Sequence, residues 1–484
     1  MLSALVLAAW SAVVTAPAQA AAQPLQATQP GAQAGTQSSP QPAAGAEQPA
    51  ATARGATLSW SEFHALALDR HALSPVGRDA LKHLVRARLL ERLARESKLV
   101  IEERELDEKV RELEAEVKRS GEAGSLDEFL ALKRVSKTKF REFLRLGLVQ
   151  ERLARRALGI AEPRPIRGEQ QDMWLDQILQ QRGLQTPPPP WSDGVVARCG
   201  DLEIRLDTFL PHLIEALARE DIEEDCHRAL LAKLALARMP DLGEPALERA
   251  LDEELARRRD AALTDPKTKG LSFEQLLASQ GLTVETLRRD PAVRVAALSQ
   301  LWVERNFGEA GLKRAYEEER ARYDARFGEA VETRALFLRA AKFTNELNRR
   351  SFEDAERELE RLGRQVNSRE DFERLAKLRS EDSATRERGG LLGFITAGDE
   401  NAPEVLRAAL FQGAPAAGEH LVGPLRIPTG VLLAWAGPRR PAPGWDIMRQ
   451  HVHNELRKRF IEETLPQSDV ITFLDMGAAS GRSK

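Results

Sequence analysis

The chain has 484 residues, of which 30% are charged and 5% are aromatic, and its formal net charge is -3. This length allows two to four domains with cores of their own. Many charges with few aromatics are typical of long amphipathic helices rather than of a large β-sandwich. A nucleic-acid-binding protein would have a strongly basic surface, and the sequence shows no basic patch with interleaved aromatics, so this class is not favoured.

The amino-terminal residues predict export. An apolar run from Leu2 to Val14 has about the length of a signal-peptide core, and the small residues Ala18 and Ala20 follow it as a cleavage site, although no Lys or Arg precedes the run. The run is too short for a stable membrane anchor. We therefore predict a signal peptide over 1–20, a periplasmic or otherwise extracytoplasmic location, and no stable membrane span after cleavage.

Composition and apolar periodicity divide the rest of the chain into parts. The nearly uncharged Ala, Gln and Pro residues after the signal peptide cannot bury a core, whereas Leu81, Leu84, Val85 and Leu89 recur at helical spacing. Four consecutive prolines from Pro187 indicate a stiff connection, which a short helical segment around Trp174 to Ile178 precedes. The predicted parts are a disordered spacer (21–56), a helical domain (57–160), a Pro-rich linker (161–193), a second helical domain (194–327), an α+β domain (328–438), and a C-terminal helix and tail (439–484).

The second helical domain repeats features of the first. Phe63 and Phe209 end similar five-residue stretches near the start of each domain. Ser136 and Thr283 each follow a large apolar residue by seven positions, and each is placed to cap an apolar-periodic helix. We predict a tandem duplication; convergence of two unrelated helical bundles is the alternative.

The region 328–438 has a different pattern, which is typical of a small α+β domain. A glycine-rich loop, Ser380 to Phe394, lies near its middle, and adjacent glycines such as Gly389 and Gly390 mark backbone that turns sharply or closely approaches another element. The expected elements are, in chain order, a strand (333–338), a helix after the capping pair Ser351 and Asp354, a second helix from Ser368, the glycine-rich loop, a helical turn (405–411) and a closing strand (431–435).

Several short motifs of this region occur together in one known family. The most specific runs from Ser380-Glu381-Asp382 to Gly389-Gly390-x-Leu392-Gly393-Phe394. The others are Phe372-x-x-Leu375-Ala376, Pro403-Glu404, Ala408-Ala409-Leu410-Phe411 and Val422-Gly423-Pro424. On these motifs the region resembles the parvulin family of peptidyl-prolyl cis-trans isomerases. The helical flanks resemble the substrate-holding part of SurA-type exported chaperone-isomerases.

The resemblance implies catalysed rotation about X-Pro bonds, yet most of the family's site residues are replaced. In the family, two histidines and a Cys or Asp form a hydrogen-bonded floor, and a Met or Leu with a Phe forms the proline pocket. Leu336 and Leu432 stand at the histidine positions, and Asn401 and Val405 at the pocket positions. Only Asp382 keeps a family residue type. It is the catalytic candidate and the other four are substrate-binding candidates, although Asp382 could equally cap the loop backbone.

Cysteines and histidines indicate no further chemistry. Cys199 and Cys226 are the only cysteines, too few for a structural zinc site, and their spacing leaves open whether they pair. None of the eight histidines forms part of a metal-binding motif, and no phosphate loop or dinucleotide fingerprint occurs. We predict no metal and no cofactor.

The sequence therefore predicts a mostly α fold with one α+β domain, that is, tandem SurA-like helical domains and a degenerate parvulin domain. The leading functional hypothesis is an exported folding factor that acts mainly as a chaperone for unfolded or extended polypeptide, including proline-containing clients. One alternative is an active isomerase with an altered floor. The other is a helical scaffold for envelope assembly.

Overall fold

The computed structural model describes residues 49–133, 135–161, 164–268, 270–342, 350–412 and 418–473. The predicted signal peptide and most of the predicted spacer lie outside these residues. The chain forms two compact units. Among the described residues, the helical unit comprises those in 49–233, 254–294 and 467–473, and the sheet unit comprises those in 234–253 and 295–466. No helix in the described ranges is long and apolar enough to cross a membrane.

The first repeat is a β-hairpin followed by five helices. Its elements are β1 (Ala51–Ala53), β2 (Ala56–Leu58), α1 (Trp60–His71), α2 (Pro75–Glu96), α3 (Glu103–Ser120), α4 (Leu126–Leu132) and α5 (Lys137–Leu158). The hydroxyls of Ser59, Ser74 and Ser136 accept backbone N–H groups at the starts of α1, α2 and α5. These caps satisfy donors that a helix leaves unpaired at its first turn, so each start is determined locally. One further helix, α6 (Gly168–Gln181), follows.

The second repeat has the same order of elements, except that its last two helices stand where the first repeat has α5. Its elements are β3 (Val195–Cys199), β4 (Leu202–Arg205), α7 (Leu206–Ala216), α8 (Arg219–Ala237), α9 (Glu244–Thr264), α10 (Phe273–Ser279), α11 (Val284–Arg289) and α12 (Pro291–Asn306). Like α4, α10 has seven residues. Phe63 and Phe209 occupy corresponding places in α1 and α7, and both are fully buried. The tandem helical organisation is therefore confirmed.

Within the helical unit, the first helix of each repeat contacts the second helix of the other repeat. The second repeat's α7 packs on the first repeat's α2, where Phe209 lies in one core with Leu84 and Val85. In the other direction, α1 contacts α8, and Arg70 Nε lies 2.9 Å from Asp225 Oδ1. Each repeat is thus completed by a helix of the other.

The sheet unit contains a four-stranded antiparallel sheet. The remaining elements are α13 (Gly308–Glu318), α14 (Arg320–Phe327), β5 (Ala330–Arg339), α15 (Phe352–Gly363), α16 (Arg369–Arg379), β6 (Leu391–Thr396), α17 (Glu404–Phe411), β7 (His420–Ile427), β8 (Gly430–Arg440), α18 (Trp445–Thr464) and, in the helical unit, β9 (Ile471–Thr472). The strand order is β6-β5-β8-β7. Helices α15 and α16 cover one face of the sheet, and α17 packs on the other. A separate core joins α13, α14 and α18.

Parts of the predicted spacer (21–56) and of the predicted linker (161–193) form strands and a helix. The end of the predicted spacer forms the β1–β2 hairpin, and β1 also pairs with β9, a partner that no local pattern can reveal. The predicted linker contains α6, whose Trp174, Leu175 and Leu179 lie in the main core of the helical unit. The short helical segment predicted around Trp174 to Ile178 is thus part of a longer helix, and its burial in this core was not predicted.

In the sheet, the predicted capping pair and both predicted strands are confirmed, but two strands were missed. Ser351 and Asp354 form a reciprocal capping box at the start of α15. The missed strands are β6, which contains Gly393, and β7, which contains Gly423 and Pro424. Gly and Pro are depleted in strands, and a register shift between residues 422 and 425 accommodates the Gly-Pro pair in β7.

Candidate functional site

The glycine-rich loop is bonded to the central strand β5. Ser380 Oγ accepts the N–H of Phe337 at 3.2 Å. The N–H of Glu381 donates to the carbonyl of Phe337 at 2.8 Å, and the carbonyl of Gly390 accepts the N–H of Ala335, also at 2.8 Å. Both ends of the loop are therefore held beside the middle of the sheet.

Two adjacent glycines permit this close approach. Gly389 and Gly390 have φ values of +65° and +77°, in the left-handed region that favours glycine. A Cβ atom on Gly390 would lie 2.3 Å from the carbonyl oxygen of Ala335. The glycine signal in the sequence thus marks real steric contact between the loop and β5.

Arg334 is a buried cation beneath the loop. Its side chain is 7% exposed, and its Nη2 lies 2.8 Å from Glu373 Oε1 on α16. Its Nη1 donates to the carbonyl of Arg388 at 3.0 Å. A buried guanidinium must replace its lost hydration with such contacts. Through them Arg334, on β5, holds the loop beside α16. Sequence reasoning missed this residue, although a lone Arg within an apolar strand pattern was a usable signal.

Asp382 is engaged by its own loop. Its Oδ1 accepts the N–H of Ala384 at 3.1 Å, and its Oδ2 accepts the hydroxyl of Thr385. The hydroxyl of Thr385 is itself buried in the turn. These bonds are those of an aspartate that closes a turn, which is the alternative that the sequence left open beside a catalytic role.

Leu336 and Leu432 do not share one floor, because they lie on opposite faces of the sheet. Leu336 pairs with Leu433, and Phe337 pairs with Leu432. Paired residues of antiparallel strands point to the same side, and successive residues alternate. Leu336 accordingly lies in the core under α15 and α16, whereas Leu432 lies in the core under α17. Both are buried.

The two predicted pocket residues are on the surface near the start of α17. Val405 is 43% exposed, and Asn401 is also exposed, with its N–H donating to Asp399 Oδ1 at 3.0 Å. The helix instead packs Leu406 and Leu410 against the sheet. The structure therefore brings Leu432 to α17 but does not enclose Asn401 and Val405 with it.

The sheet face toward α17 consists of carbon side chains at its centre. Ala335 and Phe337 on β5 stand opposite Ala434 and Leu432 on β8. Further along β5, Thr333 is fully buried, and its hydroxyl donates to the carbonyl of residue 331 at 3.0 Å. Ala335, Leu432 and Ala434 are at most 5% exposed, so only Phe337 of these four can offer apolar contact to a ligand, and none of the four side chains offers a hydrogen bond.

The two cysteines are free and buried. Burial raises the pKa of both thiols, and the carboxylate of Asp225 adds to this effect at Cys226, whose pKa reaches about 12. The thiolate is the reactive form, so neither cysteine is prepared for nucleophilic chemistry. In the described ranges no group of three His, Cys, Asp or Glu residues could hold a metal ion.

Comparison with known proteins places this sheet in a family. Residues 340–433 match the Rotamase family model, described as the PPIC-type PPIASE domain. No curated protein matches the chain. Among solved structures, the peptidylprolyl isomerase PrsA of Bacillus anthracis is similar at 13% identity over 52% of this chain and 96% of its own, with a TM-score of 0.28.

Two other solved structures are similar at the same level. The foldase protein PrsA of Streptococcus pneumoniae shares 14% identity over 59% of this chain and 93% of its own, with a TM-score of 0.22. One of the SurA-like chaperones of Campylobacter jejuni shares 16% identity over 55% of this chain and 95% of its own, also with a TM-score of 0.22. These superpositions are loose, so the assignment depends on the family match and on the sheet described above. Residues 340–433 form a PPIC-type, or parvulin, domain, and tandem helical repeats precede this domain in the chain.

Proposed function

We propose that this protein is an exported folding factor that binds unfolded polypeptide, and that its parvulin-type domain provides binding surface rather than rapid isomerisation. The observation that carries the proposal is that the centre of the sheet face toward α17 has only carbon side chains, of which Phe337 alone is more than slightly exposed. Ala335, Phe337, Leu432 and Ala434 form this centre.

The chemistry of the reaction explains why this face matters. Rotation about a peptide bond crosses a barrier of about 18–20 kcal/mol. An enzyme lowers the barrier through contacts that are stronger with the twisted amide than with the planar one, and fixed hydrogen-bond donors in a dry site are effective contacts of this kind. The carbon face has no such donor, and the carboxylate oxygens of Asp382 are already bonded within the loop. Both features favour binding over catalysis.

Exposed apolar side chains on the helical unit support the chaperone part of the proposal. Val100 and Met173 are each 73% exposed, and Leu132 is 66% exposed. Met173 also lines a cavity beside α6, and flexible side chains such as methionine suit binders that accept many partners. The expected clients are unfolded or extended segments with apolar side chains.

Export is supported by the apolar run of the first twenty residues and its small-residue ending. We expect a mature protein that begins after Ala20. Mass spectrometry of the protein recovered from outside the cytoplasm checks this, and an uncleaved amino terminus would contradict it.

The functional test measures two activities of the full chain in parallel. The slow refolding of a substrate limited by X-Pro isomerisation reports isomerase activity, and light scattering by an aggregating, chemically unfolded client reports chaperone activity. We expect suppressed aggregation and an unchanged slow phase. Val405→Asp, at the exposed edge of α17, is the control for catalysis at this face.

The remaining outcomes of the two assays would each indicate a different function. An accelerated slow phase that Val405→Asp abolishes would establish an active isomerase with an altered floor. A chain that changes neither refolding nor aggregation would overturn the folding-factor proposal and favour a scaffold for envelope assembly.

A further inference from the structure

A groove in the helical unit is a second place where polypeptide could bind. It has a volume of about 670 Å³ and lies between α2, α6 and the proline-rich segment before β3. Ligand pockets in proteins commonly have volumes of about 300–1,000 Å³. The groove is thus large enough for a few side chains of an extended chain.

The walls of the groove are apolar and firmly held. Leu81 and Leu179 line it from the buried faces of α2 and α6, and Trp191 lines it from the proline-rich segment. The indole N–H of Trp191 donates to the carbonyl of Pro187 at 2.8 Å, and its ring meets Phe209 edge-on with centroids 6.4 Å apart. The proline-rich segment is therefore a fixed wall of the groove.

The charge at the rim of the groove is positive. Arg78 and Lys82 line the rim, and neither forms an ion pair with any described residue. The one lining carboxylate, Asp176, is neutralised by Arg86, whose Nη2 lies 2.5 Å from Asp176 Oδ1. Two uncompensated cations remain beside the apolar floor.

A second cavity continues the groove past α6. It has a volume of about 480 Å³ and shares Asp176 and Gln180 with the first. Gln177 and the highly exposed Met173 also line it. Glutamine amides can both donate to and accept from a peptide backbone, so the second cavity suits continued extended chain.

We propose that this groove binds an extended segment of unfolded polypeptide in which an aliphatic or aromatic side chain stands next to a carboxylate. The apolar side chain enters between Leu81, Leu179 and Trp191, and the carboxylate meets Arg78 and Lys82. This inference rests on the proposed folding function and adds a client preference to it.

The test measures the binding of three fluorescent peptides to the full chain by anisotropy at low salt. All three peptides share one apolar core of Leu and Phe, flanked by Glu, by Lys or by Ser. We expect the Glu-flanked peptide to bind about fivefold more tightly than the Ser-flanked one, and the Lys-flanked peptide to bind most weakly, because one contact between unit charges in water changes affinity by about that factor.

Two variants and one control locate the site. Lys82→Glu should remove most of the preference for the Glu-flanked over the Lys-flanked peptide, because Arg78 remains positive beside the new carboxylate. Thr186→Trp, at an exposed lining position, should weaken all three by filling the mouth of the groove. Lys267→Glu changes an exposed lysine elsewhere on the same unit and should leave the order unchanged. Circular dichroism and thermal unfolding of each variant show whether the fold is intact.

The result that overturns the inference differs from the result that overturns the proposed function. If the chain suppresses aggregation but binds the three peptides equally, or if correctly folded Lys82→Glu and Thr186→Trp bind them as the wild type does, the groove is not the client site. If the chain neither suppresses aggregation nor binds any peptide, both proposals fall.

Discussion

The two repeats hold each other's first helix by different means. Helix α7 lies on α2 through buried carbon side chains such as Phe209, and among the described residues no ion pair joins these two helices. Helix α1 instead forms ion pairs, from Arg70 to Asp225 on α8 and from Asp69 to Arg289 on α11. The two repeats therefore share a packing order, while only one of the two equivalent helix interfaces is held by charged side chains.

The ionic interface depends on a break in the last helix of the second repeat. In the first repeat this part is the continuous α5, but Pro291 follows Asp290 and disfavours helical backbone there, so Asp290 has an extended ψ of 125°. Its carboxylate accepts the N–H of Ala292 at 2.7 Å and lies 2.5 Å from Nη1 of Arg70. A break that would weaken an isolated helix thus provides an anchor for α1.

The largest effect is expected on the apolar side of this comparison. Phe209→Ala should lower the free energy of unfolding by about 3–5 kcal/mol, because it leaves a cavity in a core that cannot fully collapse. Urea titration measures the change. Phe63→Ala, at the corresponding position of the first repeat, should cost a similar amount, and a loss below about 1 kcal/mol in Phe209→Ala would contradict the packing described.

On the ionic side, Asp225→Ala should cost about 1–3 kcal/mol, because Arg70 and His71 lose a buried hydrogen-bonding carboxylate while Arg70 keeps Asp290. The carboxylate is 2% exposed and contacts both Arg70 and His71, with 2.7 Å between its Oδ2 and Nε2 of His71. Urea titration is again the measurement. Asp221→Ala, an exposed aspartate of the same helix, is the control and should change little. Equal losses in the two variants would argue against an ionic anchor.

A smaller effect is expected at the helix break. Asp290→Ala should cost about 1–2 kcal/mol, since it removes a helix cap and an ion pair with Arg70. Asp290→Asn keeps the cap, because asparagine caps about as well as aspartate, but removes the charge. Thermal unfolding of both variants separates the two contributions, and an Asn variant as unstable as the Ala variant would show that the cap contributes nothing.

The smallest effect concerns Glu62, which lies 2.7 Å from Lys233 Nζ. Burial raises the pKa of this carboxyl, but hydrogen bonds from Lys233 and Ser59 outweigh burial, so the pKa lies below its ordinary value of 4.5. The stabilisation is therefore present above pH 4.5 and is lost as pH falls through the lowered pKa.

Glu62→Gln tests this pH dependence. It should cost less than about 1 kcal/mol near neutral pH, as exposed pairs do, and should make the melting temperature fall less steeply below pH 4.5. The exposed Glu122→Gln is the control and should keep the wild-type slope. An unchanged slope in Glu62→Gln would contradict the assigned shift.

Features of the fold that depend on neighbouring residues were predictable from the sequence. Capping serines such as Ser136 and Ser351 mark helix starts because the cap and the N–H groups it satisfies lie within one turn. Strand β1 was not predictable, because its partner β9 lies more than four hundred residues away. A short helix around Trp174 was predicted, but its place in the core was not, because the prolines that follow α6 indicated a linker.

The sequence predicted where the candidate site lies in the chain. It did not predict how the side chains of the site are arranged in space. The motif located the loop at Asp382 and identified Leu336 and Leu432 as replacements of family residues. It could not give the face on which each leucine lies, since that depends on the register of β5 against β8. The role of Arg334 likewise appears only when α16 and the loop are in place.

The pairing of β1 with β9 sets an order of events during synthesis. A chain that emerges amino terminus first exposes residues 51–58 at the beginning, while their partner at 471–472 emerges near the end. Residues 295–466 have then already emerged and can be compact, so the last strand does not have to close a long flexible loop, whose entropic cost grows with length. A chain interrupted before residue 471 leaves β1 with a bare edge, and bare edges recruit other strands. The three-stranded sheet can therefore form only after synthesis has passed residue 472.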